Sequence, residues 1–201
     1  MDSIFPLVIH HFDLLNFKDV QNELIECAYN EKKKNSKGVQ KSNIGGWQSN
    51  DIIRSGNIII EELFKSIINY FHNNEILIKD SRLKFDNIWI NINGEGDSNI
   101  KHKHPGADLS GVFWIKSAGD NSGMLYFESP YTSIDYKNLL TLNPNIKREL
   151  AVWELMKYSP TEGKICIFPA FLDHWVGKNE SKENRISVSF NVELILPPYI
   201  D

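Results

Sequence analysis

The chain has 201 residues, 41% hydrophobic and 24% charged, with a formal net charge of −4 and a pI near 5.9. That composition suits one well-buried soluble domain, and its acidic balance offers no electrostatic footprint for nucleic acid. No apolar run reaches a membrane span, and the N-terminus lacks the basic start and apolar stretch of a signal peptide. Cys27 and Cys166 make neither a disulfide framework nor a zinc motif. The expectation is a cytoplasmic protein with two buried thiols. The basic run Lys32-Lys33-Lys34 reads as a solvated helix end.

In chain order, Ile4 to Ile9 reads as a short opening strand. From about Lys18 to Asn35, Val20, Leu24, Ile25 and Ala28 keep helical spacing. A polar stretch from Gly38 to Ser55 holds Gly45-Gly46-Trp47-Gln48-Ser49, read as a turn with an anchoring Trp or as a substrate-side loop. A second helix is predicted from about Ile58 to Asn73, with Ile59, Leu63, Ile67 and Tyr70 inward and Glu61, Glu62 and Lys65 outward. After about Lys84 the period changes to 2, with Ile88, Ile90 and Ile92 on one face and Trp89, Asn91 and Asn93 on the other. Further strands are predicted at His102–His104, Leu109–Ser117, Met124–Glu128, Glu149–Tyr158, Lys164–Pro169 and Arg185–Leu196, with turn residues at Asn93-Gly94, Gly119-Asp120-Asn121, Asn143-Pro144 and Thr161-Glu162-Gly163. Short, regularly spaced strands predict an all-β core with N-terminal helices, a jelly roll of the cupin type. One domain over 1–201 is expected, its helical part about 1–83 and its β-core about 84–196.

Two histidines at i and i+2, His102 and His104, project to one face of a strand, while Lys101 and Lys103 point away. A third histidine from a distant strand, His174, could close a facial metal site. Taken alone, the pair also reads as surface histidines in a Lys-rich loop, and His174 as a core histidine. The strand from Arg185 adds weight: Arg185, Ser187, Ser189 and Asn191 share one face, and Ile186, Val188, Phe190 and Val192 the other. A polar-lined cavity explains that ribbon better than a solvent face does, because its apolar side would then pack on the helices. An arginine in such a cavity needs an anion, and a substrate carboxylate satisfies it. Candidate cavity walls are Trp89, Asn91, Trp114, Tyr126 and Trp175, with Asn91 and Tyr126 as polar contacts for a cofactor.

The order His102-x-His104-Pro105, Ser110-Gly111-Val112-Phe113-Trp114, Gly123-Met124-Leu125-Tyr126-Phe127-Glu128-Ser129-Pro130, Glu162-Gly163-Lys164-Ile165-Cys166-Ile167-Phe168-Pro169, His174 and Arg185-x-Ser187 with Phe190-Asn191 resembles the 2-oxoglutarate/Fe(II) oxygenases of marine bacteria and cyanophages. Ser42-Asn43-Ile44-Gly45-Gly46-Trp47-Gln48-Ser49 is similar to the N-terminal signature of the same family. The resemblance spans about Ser42 to Asn191 and implies a double-stranded β-helix that binds Fe(II) and 2-oxoglutarate. It implies His102, His104 and His174 as metal ligands, and Arg185 with Ser187 on the distal carboxylate of 2-oxoglutarate. The wider superfamily commonly has a carboxylate where this chain has His104. Asp108 could supply one if the loop after Pro105 folds back.

The expected activity is a dioxygenase using O2 and 2-oxoglutarate, releasing succinate and hydroxylating a protein side chain or small molecule. A homodimer is admissible, and a phage origin would place the protein in the host cytoplasm. The alternative is a non-catalytic cupin-like protein binding a metal and a small acid.

Overall fold

The computed structural model describes residues 7–130, 143, 145 and 154–197. It begins with strand β1 (His10–Asp13), helix α1 (Phe17–Lys34), the two-residue strands β2 (Asn43–Ile44) and β3 (Trp47–Gln48), and helix α2 (Ile58–Asn73). Strands β4 (Arg82–Asn93), β5 (Ser98–His102) and β6 (Leu109–Lys116) follow, then a 3-10 turn at Gly119–Ser122 and β7 (Leu125–Glu128). The core closes with β8 (Leu155–Tyr158), β9 (Lys164–Pro169), β10 (His174–Val176) and β11 (Arg185–Ile195). Two antiparallel sheets result: a large one in the order β1-β9-β6-β11-β4-β3, and a small one in the order β2-β5-β10-β7-β8. This is the predicted jelly roll, a double-stranded β-helix with two helices on one side.

Helix α2 starts where Asn57 accepts a hydrogen bond from the Ile60 N–H at 3.3 Å, satisfying one free donor of the first turn. It buries Ile59, Leu63, Ile67 and Phe71, while Leu24 and Ala28 are buried on α1. These side chains join Ile88, Ile90 and Ile92 of β4 and Ile186, Val188, Phe190 and Val192 of β11 in one core cluster. A second cluster lies across the large sheet, between the sheets, and contains Trp114, Leu125, Phe127, Cys166, Phe168 and Leu172. The period-2 pattern thus divides each long strand between two environments: apolar against the helices, mixed toward the small sheet.

Several element boundaries differ from expectation. The opening strand is His10–Asp13; of the predicted Ile4–Ile9 segment, residues 4–6 lie outside the described residues, as do residues 149–153 of the predicted strand ending at Tyr158, and Pro144. Strand β5 begins at Ser98 and ends at His102, so His104 lies past its end. There the His104 N–H donates to the Ala170 carbonyl at 2.9 Å, which holds the residue against the loop before β10. Strands β2, β3 and β10 are too short to show a period. Trp47 does anchor its turn: its indole N–H donates to the Asn35 carbonyl at 2.8 Å, at the end of α1.

Candidate active site

Strand β10 lies between β5 and β7, and its register sets His174 directly opposite both His102 and Phe127. Cross-strand partners in an antiparallel ladder share a face, so His102 and His174 both face the large sheet. His104 completes the group from the segment after β5. The ring centroids stand 4.4 Å apart for His102–His174, 5.0 Å for His102–His104 and 5.1 Å for His104–His174. Their ligand atoms all lie within 4.8 Å of one another, close enough for one ion.

The protonation pattern of the cluster suits a metal. His102 Nδ1 lies 2.7 Å from the Ile100 carbonyl, and His174 Nδ1 lies 2.9 Å from the Leu172 carbonyl. A carbonyl oxygen only accepts, so each Nδ1 carries the hydrogen and each Nε2 presents a lone pair. Burial lowers the His174 pKa to about 3 and the His104 pKa to about 4, the neighbouring imidazoles adding to both shifts. The His102 pKa is lowered by burial too, against opposition from the Ile100 carbonyl and Asp173. Three neutral imidazoles, two of them fixed in one tautomer, are a donor set for a divalent cation of the iron or zinc type.

Facing them, the large sheet presents Arg185, Ser187 and Ser189 of β11, Asn91 and Trp89 of β4, and Trp114 of β6 to the same cavity. Ser42 and Asn99 line it from the β2–β5 side, joined by a 3.2 Å hydrogen bond from Asn99 Nδ2 to Ser42 Oγ. The Trp89 ring stands 5.7 Å from that of His104. Arg185 is 2% exposed, and among the described residues no carboxylate forms a salt bridge with it. Burial lowers its pKa to about 10, with Asp97 pulling the other way, so it stays charged at neutral pH. Asn91 is 6% exposed; its Nδ2 donates to Ser189 Oγ at 3.1 Å, and its Oδ1 is buried with no partner. Turning the amide over would let the Ser189 hydroxyl donate instead, freeing an N–H for an anion.

Of the residues singled out in the sequence, His102, His104, His174, Arg185, Ser187 and Asn91 all line this cavity. Two do not. Tyr126 lies between Leu125 and Phe127, which are buried in the inter-sheet cluster, so it projects to the outer face of the small sheet. There it stacks on Trp175 at 5.2 Å, which corrects the expectation for both aromatics. Asp108 is exposed and its Oδ2 accepts the Leu194 N–H at 2.7 Å, while its own backbone pairs with Val192 and Ala170. The loop after Pro105 therefore ties this carboxylate to the end of β11, and no carboxylate joins the imidazole cluster among the described residues. Ser42, Asn99 and Val176 also line the cavity without having been singled out. Each belongs to a strand of five residues or fewer, or to its flank, where periodicity gives no signal.

Comparison with known proteins agrees with this arrangement. A family model described as "Putative 2OG-Fe(II) oxygenase" matches residues 87–191, which run from β4 to β11. No curated protein matches in sequence. Among solved structures, the non-heme alpha ketoglutarate dependent epimerase SnoN from nogalamycin biosynthesis aligns with a TM-score of 0.63 at 12% identity, over 92% of this chain and 78% of that one. A Pseudomonas putida prolyl-4-hydroxylase aligns with a TM-score of 0.60 at 11% identity, over 92% and 91% of the two chains. A viral collagen prolyl hydroxylase of Paramecium Bursaria Chlorella virus-1 aligns with a TM-score of 0.55 at 12% identity, over 94% and 96%. At such identities the likeness is one of fold. With the family model spanning the segment that carries all three histidines and the arginine, the chain belongs to the 2-oxoglutarate/Fe(II) oxygenase family, with iron and 2-oxoglutarate as its cofactors.

Proposed function

We propose that the chain over 1–201 is one catalytic unit, a 2-oxoglutarate-dependent dioxygenase in which His102, His104 and His174 hold Fe(II). Arg185 and Ser187 hold the distal carboxylate of 2-oxoglutarate, and Asn91 makes a further polar contact with it. The observation that carries this reading is Arg185: a buried guanidinium with no carboxylate salt-bridge partner among the described residues, lining the same cavity as three neutral imidazoles. A permanently uncompensated buried charge is costly, and an anionic ligand removes that cost.

The bound iron and 2-oxoglutarate would supply O2 activation and oxidative decarboxylation to succinate and CO2, coupled to oxidation of a second substrate. The chain's own residues act around that chemistry. The Ile100 and Leu172 carbonyls keep the two Nδ1 hydrogens in place, so the ligating nitrogens need no reorganisation. Phe168, Leu125, Val176 and Trp114 exclude water from the inner wall. Ser42, Asn99 and Trp89 are lining residues that are partly exposed, and the second substrate would enter beside them; a protein side chain or a small molecule would both reach it. Two of the aligned folds are prolyl hydroxylases, which supports a hydroxylation reading.

The test is O2- and Fe(II)-dependent release of succinate from 2-oxoglutarate, with metal content measured alongside. His104→Ala is expected to lower iron occupancy sharply. His104→Asp, which places an anionic ligand where a neutral one stands, is expected to retain it. Iron occupancy unchanged in His104→Ala would remove that residue from the ligand set. Metal uptake without 2-oxoglutarate binding would favour the non-catalytic alternative.

A further inference from the structure

The carboxylate clamp has a support built from backbone. Arg185 Nη1 donates to the carbonyls of both Ser122 and Gly123, the second at 3.3 Å. Both hydrogens of that nitrogen are thereby used, the guanidinium plane is fixed, and the Nη2 and Nε hydrogens remain for a ligand. The two carbonyls come from the 3-10 turn Gly119–Ser122 and its C-terminal residue Gly123.

Ser122 is fully buried, and its side chain knots this turn. The hydroxyl donates to the Gly119 carbonyl at 2.9 Å, accepts the Ala118 N–H at 2.7 Å, and lies 2.9 Å from Ser117 Oγ. Gly123 then takes φ +89°, a conformation that favours glycine. A Cβ at Gly123 would stand 2.2 Å from the Gly177 carbonyl oxygen and 2.8 Å from Arg185 Nη1. Nothing larger than glycine fits without pushing both the Gly177 backbone and the guanidinium. Gly119 takes φ +67°, yet a Cβ there would meet nothing within 4 Å. The two glycines bracket one turn and share a positive φ, but only at Gly123 would a methyl reach the arginine and the Gly177 backbone.

We infer that Ser122 and Gly123, at the end of this turn, are the positioning element of the clamp: their carbonyls aim Arg185, and so set the affinity for 2-oxoglutarate. Ser122 and Gly123 are positioning residues, since they act through Arg185 without touching the co-substrate. The inference rests on the reading of Arg185 proposed above.

The test measures 2-oxoglutarate binding by calorimetry on the full chain loaded with redox-inert Zn(II), with Zn(II) affinity measured separately. Gly123→Ala is expected to weaken 2-oxoglutarate binding about tenfold or more, the loss of one well-aimed charged hydrogen bond, with Zn(II) affinity unchanged. In the iron-loaded enzyme the same variant raises the 2-oxoglutarate KM while kcat at saturation is retained. Gly119→Ala strains the same turn without reaching Arg185 and is expected to bind 2-oxoglutarate as the parent does. Should Gly123→Ala fail to fold, Ser122→Ala loosens the knot without adding bulk, and is expected to weaken 2-oxoglutarate several-fold while sparing Zn(II). Equal losses in Gly119→Ala and Gly123→Ala, or none in Gly123→Ala, would overturn the positioning role and leave the reading of Arg185 standing. An Arg185→Ala protein that binds 2-oxoglutarate like the parent would overturn both.

Discussion

Strand β11 carries two chemistries one residue apart. Toward the helices, Ile186, Val188 and Phe190 are fully buried and Val192 nearly so. Toward the small sheet, Arg185, Ser187 and Asn191 are also buried, yet each is polar. β4 repeats the division, with Ile88, Ile90 and Ile92 on one side and Trp89, Asn91 and Asn93 on the other. Equal burial with opposite polarity means that the two faces are kept for different reasons. The helix side is held by area removed from water. The cavity side retains buried groups whose hydrogen-bonding and charge needs are incompletely met by protein, as the orphan Oδ1 atoms of Asn91 and Asn93 show. On the proposed reading, stability resides on one face and ligand affinity on the other.

The largest effect that could break this division is on the apolar side. Phe190→Ala empties a fully buried position between β4, β6 and the helices, and is expected to cost about 3–5 kcal/mol of stability. Denaturant unfolding of the metal-free protein measures it, and a loss under 1 kcal/mol would contradict a packed helix-facing core. Arg185→Ala inverts the pattern. It is expected to weaken 2-oxoglutarate binding on the order of a hundredfold or more, with unfolding midpoints shifted much less than in Phe190→Ala. A 2-oxoglutarate affinity within twofold of the parent would detach Arg185 from the co-substrate.

The histidine cluster makes a prediction in pH. His174 and His104 stay neutral in the fold down to about pH 3 and 4, against an ordinary value of 6.5 in the unfolded chain. Between pH 6.5 and those values the unfolded chain binds protons that the folded cluster refuses. The unfolded state therefore holds more protons, and stability rises with pH across that window. Metal-free protein is expected to lose about 2 kcal/mol from His174 alone on going from pH 7 to pH 5. His104 should add less, since it is more open to solvent. The comparison that checks it is the acid limb of the stability curve, which should flatten in His174→Gln. An unchanged limb would mean that the imidazole protonates freely in place.

Much of this division was legible in the sequence because β4 and β11 are long enough for period 2 to show. The alternation placed Asn91 on the polar face of β4 and Ser187 with Arg185 on the polar face of β11; the pairing of the two strands brings those faces together. The failures have separate physical origins. Period 2 states which residues share a face, but not which face looks inward. On four-residue β7 the inward residues are the apolar Leu125 and Phe127, so Tyr126 falls outside even though it carries the polar atom. Asp108 failed differently: its destination depends on a tertiary hydrogen bond to Leu194, which local pattern does not encode. The Ser122 and Gly123 carbonyls are backbone atoms, and no residue type announces them. His104 joins the imidazole cluster for a reason the pattern only partly contains. Strand periodicity predicted its side, but the strand stops at His102, and the hydrogen bond to Ala170 is what secures it.

The smallest expected effects separate Asn91 from Tyr126, which composition and alternation alone had placed together. Asn91→Ala removes an amide whose one unpaired atom is buried at the cavity wall, so 2-oxoglutarate binding is expected to weaken up to about tenfold. Asn91→Asp should weaken it more, because a carboxylate there would oppose an anionic ligand. Tyr126→Ala strips only a stacking partner from Trp175 on the outer face. It is expected to leave 2-oxoglutarate affinity unchanged, at a stability cost of about 1 kcal/mol from the lost ring pair. Calorimetric titrations of the three variants under one condition provide the comparison. Equal losses for Asn91→Ala and Tyr126→Ala would mean that affinity does not follow which face of its sheet a side chain occupies.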